Sequence, residues 1–205
     1  IPRNLKELGY QINEKGQFLT LKGEIYNFDV KERSYNEALY DVIIELLMEW
    51  VEERLQNDFG LQKILLPINA TKDDIHSKIY VSPDYLENDK MMIFIPGTAN
   101  MIGCWSRRVM IDVSVNDGSM ISYVKRAREM GFSVIIVNPN EHTLPKTNVP
   151  FKIIMGSETP ESHTNYVFEN FVIVFEHVAK KLEQLENGAT EYNDENEGDI
   201  EDGYL

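Results

Sequence analysis

Two short apolar runs with a helix-like segment between them constrain this chain most. They are "MMIFIP" at 91–96 and "FSVIIVNPN" at 132–140. The first is apolar at every position, and the second only breaks at Asn-Pro-Asn; both read as strands covered on two faces. Between them "SMISYVKRAREMG" predicts a helix that starts near Ser119 and is closed by Gly131 just past its C-terminus. Strand, loop, helix and strand in this order form a βαβ unit, so the expected class is α/β with a mostly parallel sheet.

The rest of the chain fits around that unit. Near the amino end "FLTL" and "IYNF" flank Lys22-Gly23 and predict a β-hairpin. In "SYNEALYDVIIELLMEWVEERLQ", Ser34 and Glu37 have the spacing of a capping box. Leu39, Val42, Ile43, Leu46, Leu47, Trp50 and Val51 then form a helical stripe whose default role is core packing. "LQKILLP" and "SKIYVS" read as two further strands. After an irregular stretch from Pro139 to Ser157, Thr159 and Pro160 suit the N-cap and N1 positions of a last helix, which places His163 on a helix surface near an N-terminus.

The formal net charge is −14, but eight acidic residues and no Lys or Arg lie between Glu186 and Leu205. The body then holds 26 acidic and 20 basic side chains, a mild imbalance that argues against a general nucleic-acid grip. The expected organisation is one α/β domain over 1–185 and an acidic, disordered tail over 186–205. The single cysteine, Cys104, rules out an intramolecular disulfide. No apolar run approaches the roughly 20 residues of a membrane helix.

The loop "IPGTANMIGCWSRR" occupies the place where an α/β enzyme would hold a phosphate or an oxyanion. It is not a Walker A or dinucleotide fingerprint, because Gly97 and Gly103 lack the spacing and the Lys. No G-x-S-x-G occurs, and neither Ser119 nor Ser157, each preceded by Gly, is flanked by strand and helix as an elbow requires. His76, His142, His163 and His177 are far apart in sequence, and none is read as catalytic. Cys104 follows Gly103 and precedes Arg107 and Arg108, which could activate a thiolate; a buried, inert thiol is the preferred reading. No metal-ligand pattern or cofactor motif is present, so no catalytic residue, metal or cofactor is expected. Arg107, Arg108, Lys125, Arg126 and Arg128 form two basic clusters. They read as helix-surface charge, as a docking patch with Trp105 for an acidic protein segment or a phosphate backbone, or as a seat for the chain's own tail.

Four stretches in order, "LKELGYQINEKGQ", "IPGTANMIGCWSRRVMI", "SMISYVKRAREMGFSVIIVNPN" and "ESHTNYVFENFV", resemble the Arb-two (Arb2) domain family of Argonaute-binding proteins. The resemblance implies a three-layer α/β-hydrolase-like sandwich with an N-terminal hairpin. In the family, the segment matching Ile95 to Ala99 reads closer to His-Gly-Ser-Gly, and a strand and nucleophile-elbow-like turn follow the last helix. Here Pro96, Gly97 and Thr98 stand as an oxyanion-loop remnant. The sequence turns acidic where the elbow strand is expected, which predicts a truncated sheet with an exposed edge that must be covered or paired. The family association implies a non-catalytic adaptor in Argonaute and small-RNA silencing, chromatin or cotranscriptional regulation. Its partners would be proteins such as Argonaute or chromatin factors, with no direct nucleic-acid binding. It would reside in nucleus or cytoplasm, with the endoplasmic reticulum left open. The alternative is an esterase-like hydrolase whose elbow lies outside these residues.

Overall fold

The parallel strand pair is present, and it lies at one side of a four-stranded sheet. The computed structural model describes residues 1–27, 30–141, 154–172 and 180. In chain order the elements are β1 (Tyr10–Ile12), β2 (Phe18–Thr20), a 3-10 turn (Val30–Glu32), α1 (Arg33–Asn57), β3 (Gln62–Leu66), β4 (Ser77–Val81) and β5 (Met91–Phe94). Then come α2 (Arg107–Asp112), α3 (Val115–Gly118), α4 (Ile121–Glu129), β6 (Ser133–Ile136), α5 (Pro160–Val167) and a π-helical turn (Phe168–Val172). Ile1–Asn165 form one compact unit. The expected boundary at 185/186 and the acidic tail lie outside the described residues.

β5 and β6 pair in parallel, Met91 beside Ser133 and Phe94 beside Ile136, with α2 to α4 as the crossover. The order is β3-β4-β6-β5, and both β3 with β4 and β4 with β6 are antiparallel. The sheet is therefore mixed, which corrects the expected mostly parallel one. The cause is loop length. Segments 67–76 and 82–90 are shorter than the dozen or so residues that a parallel crossover takes. Such links return the chain antiparallel.

The amino-terminal hairpin forms one turn earlier than expected. Asn13 Oδ1 accepts from the N–H groups of Lys15 (3.0 Å) and Gln17 (2.9 Å), and Gly16 takes φ +78°. This Asx-type turn closes β1 on β2, with Tyr10 opposite Thr20. The Lys22-Gly23 turn survives, but beyond it only a single Leu19–Ile25 bridge pairs. The capping box is also absent, because α1 already includes Ser34. The first turn is held instead by Asn36 Nδ2 on Glu32 O (3.0 Å) and by the Arg33–Glu37 ion pair.

One face of the sheet carries the core. Leu39, Ile43, Leu47, Met48, Val51 and Leu55 of α1 pack with Tyr80, Phe94, Val134, Ile136 and α4's Val124 and Ala127. Ile79, Val81 and Ile135 point the other way by strand alternation and are fully buried too. β6 is thus covered on both faces, as its composition requires. β5 is not: Met91, Met92 and Ile93 are half-buried, since β5 is an outer strand.

Candidate functional site

The loop leaving β5 is fixed chiefly through its carbonyls. Gly97 O accepts from Asn100 N–H (3.1 Å) and from Asn140 Nδ2 (2.9 Å), which also bonds Asn100 O (2.8 Å). Arg107 Nη2 donates to Ala99 O at 2.6 Å, and Ala99 sits at φ 63°, the left-handed region. Pro96 is buried, whereas Gly97 and Thr98 are exposed. Among the described residues nothing accepts from the Gly97 or Thr98 N–H. The loop thus joins the carboxyl ends of β5 and β6, the edge where open α/β sheets place ligands.

A polar cluster that sequence reasoning missed lies at the same end of β6. Asn138, Ser77, Ser157 and His163 are all buried. Asn138 Nδ2 donates to Glu141 and lies 3.5 Å from Ser77 Oγ. His163 is wholly enclosed, which corrects its placement on a helix surface. Its Nε2 accepts the Asn138 backbone N–H at 2.9 Å, and its Nδ1 lies 2.8 Å from Ser157 Oγ. A backbone N–H can only donate, so Nε2 carries no proton, and in the neutral ring the proton resides on Nδ1. Nδ1–H therefore donates to the serine. A catalytic histidine must do the reverse and accept the serine proton. The Asn138–His163 bond ties α5 to the segment that follows β6, and with Nδ1–H donating to it, Ser157 is not wired as a nucleophile to a base. The cue in the sequence was a Ser and a His six apart after an apolar strand ending in Asn-Pro-Asn, but only the fold reveals the burial.

Cys104 is fully buried, and its Sγ lies 3.7 Å from Met110 Sδ. Burial pushes its thiol up to about 11, outweighing the opposite pull of Arg107, so the sulfur stays protonated at neutral pH. On the other flank Glu52 of α1 meets β4. Lys78 Nζ lies 2.7 and 2.6 Å from its two oxygens, and Tyr80 Oη donates to it at 2.5 Å. Burial first, and then the Glu52 carboxylate, drive the Tyr80 hydroxyl up, so it keeps its proton and donates it to Glu52. This clasp has no signature in the sequence.

The six candidate docking residues do not form one patch of free cations. Arg128 is committed: its Nη1 reaches both Asp84 oxygens (2.8 and 2.9 Å) and Phe132 O (2.8 Å). Arg108 pairs with Asp112 at 3.0 Å, and Arg126 and Lys125 lie 3.6 and 4.0 Å from Glu129, all at exposed helix positions. Trp105 is half-buried between Phe94 and Tyr123, with centroids 6.1 and 5.5 Å away, both edge-on. Among the described residues no group of three or more His, Cys, Asp or Glu could hold a metal, and no helix is long and apolar enough to cross a membrane.

The Asp84–Arg128 link has a pH signature. Partial burial acts to raise the Asp84 carboxyl, but hydrogen bonds from Arg128, Asn88 and Ser82 outweigh it and hold it down to about 2. A depressed carboxyl stabilises the fold above its unfolded value near 3.9, and that contribution is lost as pH falls through about 2. Asp84 is about one-third exposed, so the effect is discounted. Asp84→Asn should cost about 1 kcal/mol at pH 7 and converge with the parent chain near pH 2. Urea unfolding at pH 7, 4 and 2.5 measures this; a constant difference across that range would refute the link.

The family model of the Arb2 domain matches residues 1–189. The "Cotranscriptional regulator ARB2A homolog" of Xenopus tropicalis is 36% identical over 156 residues, 73% of this chain and 37% of the relative. The human "Cotranscriptional regulator ARB2A" is 35% identical over 157 residues, 72% of this chain and 38% of the relative. A Dictyostelium discoideum relative of the same description is 30% identical over 141 residues, 67% of this chain and 34% of its own length. The chain thus spans little more than a third of the length of these curated relatives. No solved structure matches it. With the family model covering nearly the whole chain, and with these relatives agreeing over two thirds of it or more, the chain belongs to the Arb2 domain family.

Proposed function

We propose that this chain is a non-catalytic regulatory adaptor on a three-layer, α/β-hydrolase-like framework. It acts through protein contacts in cotranscriptional or chromatin regulation linked to Argonaute and small RNA, in the nucleus, the cytoplasm or both. The observation that carries the reading is the wiring of Ser157 and His163. The one Ser–His hydrogen bond among the described residues has its proton on the wrong nitrogen for base catalysis, and both groups are buried. The regulator names of the relatives support a regulatory role, and the mild charge of the body supports protein over nucleic-acid partners.

Docking falls to Trp105 with Arg107, Arg108, Lys125 and Arg126. The exposed pairs with Asp112 and Glu129 are each worth less than about 1 kcal/mol, so a partner's carboxylates can displace them. Arg108→Glu with Arg126→Glu should cut recovery of protein partners from a nuclear extract at least tenfold without lowering stability; undiminished recovery would remove these residues from the interface. A second reading, an esterase-like hydrolase, is favoured by the exposed Gly97 and Thr98 amides, which bond no described residue and could receive an oxyanion. A fluorophosphonate probe separates the two. The folded chain should remain unlabelled, and stoichiometric labelling would overturn the adaptor reading.

A further inference from the structure

His163 is a titratable side chain enclosed in the fold, and its hydrogen bonds suit only one protonation state. Nε2 needs its lone pair to accept the Asn138 N–H at 2.9 Å, while Nδ1–H serves Ser157 Oγ at 2.8 Å. A second proton can only go to Nε2. It would set two N–H donors head to head at 2.9 Å, enclose a charge, and deprive the Asn138 N–H of its acceptor. Turning the ring brings no relief, because the Asn138 N–H is abandoned all the same. The charged and titratable groups on the described elements around the ring are few. After β6, which has none itself, Glu141 receives Asn138 Nδ2 and lies 3.5 Å from Ser77 Oγ. On β4, Lys78 and Tyr80 turn to Glu52 on the other face of the strand. Before α5, Glu158 accepts the Gly156 N–H at 2.9 Å, and both Glu158 and Glu161 are exposed.

We propose that His163 is an acid-operated latch: protonation at Nε2 releases the start of α5, with Ser157, from the segment after β6. The closed fold excludes this proton, whereas the opened chain takes it up as an ordinary imidazole does, near pH 6.5. The closed form therefore binds fewer protons than the open one. It is favoured above about pH 6.5 and loses ground as pH falls below that value, by up to about tenfold per unit. Between pH 7.5 and 5.5 the open fraction should rise about tenfold. The latch stands on the same hydrogen bonds as the proposed function, but its readout is pH, so the two can fail separately. A chain that a fluorophosphonate labels could still open in acid, and one that stays unlabelled could fail to open.

Hydrogen exchange of the Asn138 amide in the full chain at about pH 7.5, 6.5 and 5.5, corrected for the intrinsic rate, reads the opening. Its protection should fall about tenfold across that range. His163→Gln is the comparison, since its Oε1 can accept the Asn138 N–H and does not titrate. Protection in that variant should be lower throughout but should lack the tenfold fall. His76, His142 and His177 titrate in both proteins, so the excess fall in the parent is the signal. Ring nitrogen spectra of the parent need no variant: in the closed form the Nε2 of His163 should stay unprotonated down to pH 5.5. Constant protection in the parent, or an equal fall in the parent and His163→Gln, overturns the latch. So does a His163 ring that titrates near pH 6.5 while the Asn138 amide stays protected, because the closed fold would then accommodate the imidazolium.

Discussion

Gly118→Ala is expected to lower the melting temperature by about 10 °C or more, or to prevent soluble expression. Gly118 ends α3 at the point where α3 crosses α2. A Cβ there would lie 2.3 Å from Met110 N, 2.7 Å from Ser106 O and 2.5 Å from Met110 Cγ. Two of these are backbone atoms, which no rotamer change can move aside. The Gly118 carbonyl also accepts from the N–H groups of Trp105 (2.9 Å) and Ser106 (3.0 Å), so retreat of α3 would break the clasp that ends the loop after β5. Overpacking against side chains costs about 1–3 kcal/mol; against backbone about 4 kcal/mol is the fairer figure. In a domain of this size each kcal/mol is worth about 2–4 °C. Two other glycines serve as controls. Gly131→Ala meets nothing within 4 Å but holds φ +79°, so it should cost about 1 kcal/mol. Gly97→Ala finds only Asn100 Nδ2 at 3.6 Å and should be nearly neutral. The order 118, 131, 97 in thermal melts is the test, and a Gly118→Ala protein melting within 2 °C of the parent would contradict the close crossing.

Features set by neighbours in sequence were legible before the fold was known, and features set by neighbours in space were not. The βαβ unit was readable because its two apolar runs and the helix between them are each continuous. The α1 stripe was readable because thirteen residues from Leu39 to Val51 repeat at helical spacing. The hairpin register was misjudged because two Gly turns compete, and Asn13, whose side chain organises the earlier one, looks like any surface Asn. The mixed sheet follows from two link lengths that no residue type signals. Arg128 looked like its neighbour Arg126, yet Asp84, 44 positions away, claims it. The Glu52 clasp on Lys78 and Tyr80 is likewise a contact across 26 and 28 residues. His163 was the costliest case, since its helix start, polar neighbours and distance from other histidines all suggest a solvated side chain. Its burial is decided by Asn138, at the end of a strand 25 positions earlier.

That same histidine gives the second large effect. His163→Ala should destabilise the chain by about 3 kcal/mol or more. The substitution removes a buried ring, leaves the Asn138 N–H without its acceptor, and deprives Ser157 of its donor. His163→Gln should recover part of the loss, because its Oε1 can take the Asn138 N–H although it cannot serve Ser157 at once. Ser157→Ala should cost less than either, about 1–2 kcal/mol, since the Asn138 contact persists. This ranking separates a pin from a catalytic pair. In an active Ser–His pair, replacing either member abolishes turnover to a similar extent and leaves stability nearly untouched. In a pin, stability falls in the order Ala at 163, Gln at 163, Ala at 157, whatever activity is assayed. Urea unfolding of the three variants at pH 7 decides between them. Equal stabilities would mean that the Asn138–His163 bond does not hold α5 to the sheet, and the strongest physical argument against a catalytic Ser157 would fall with it.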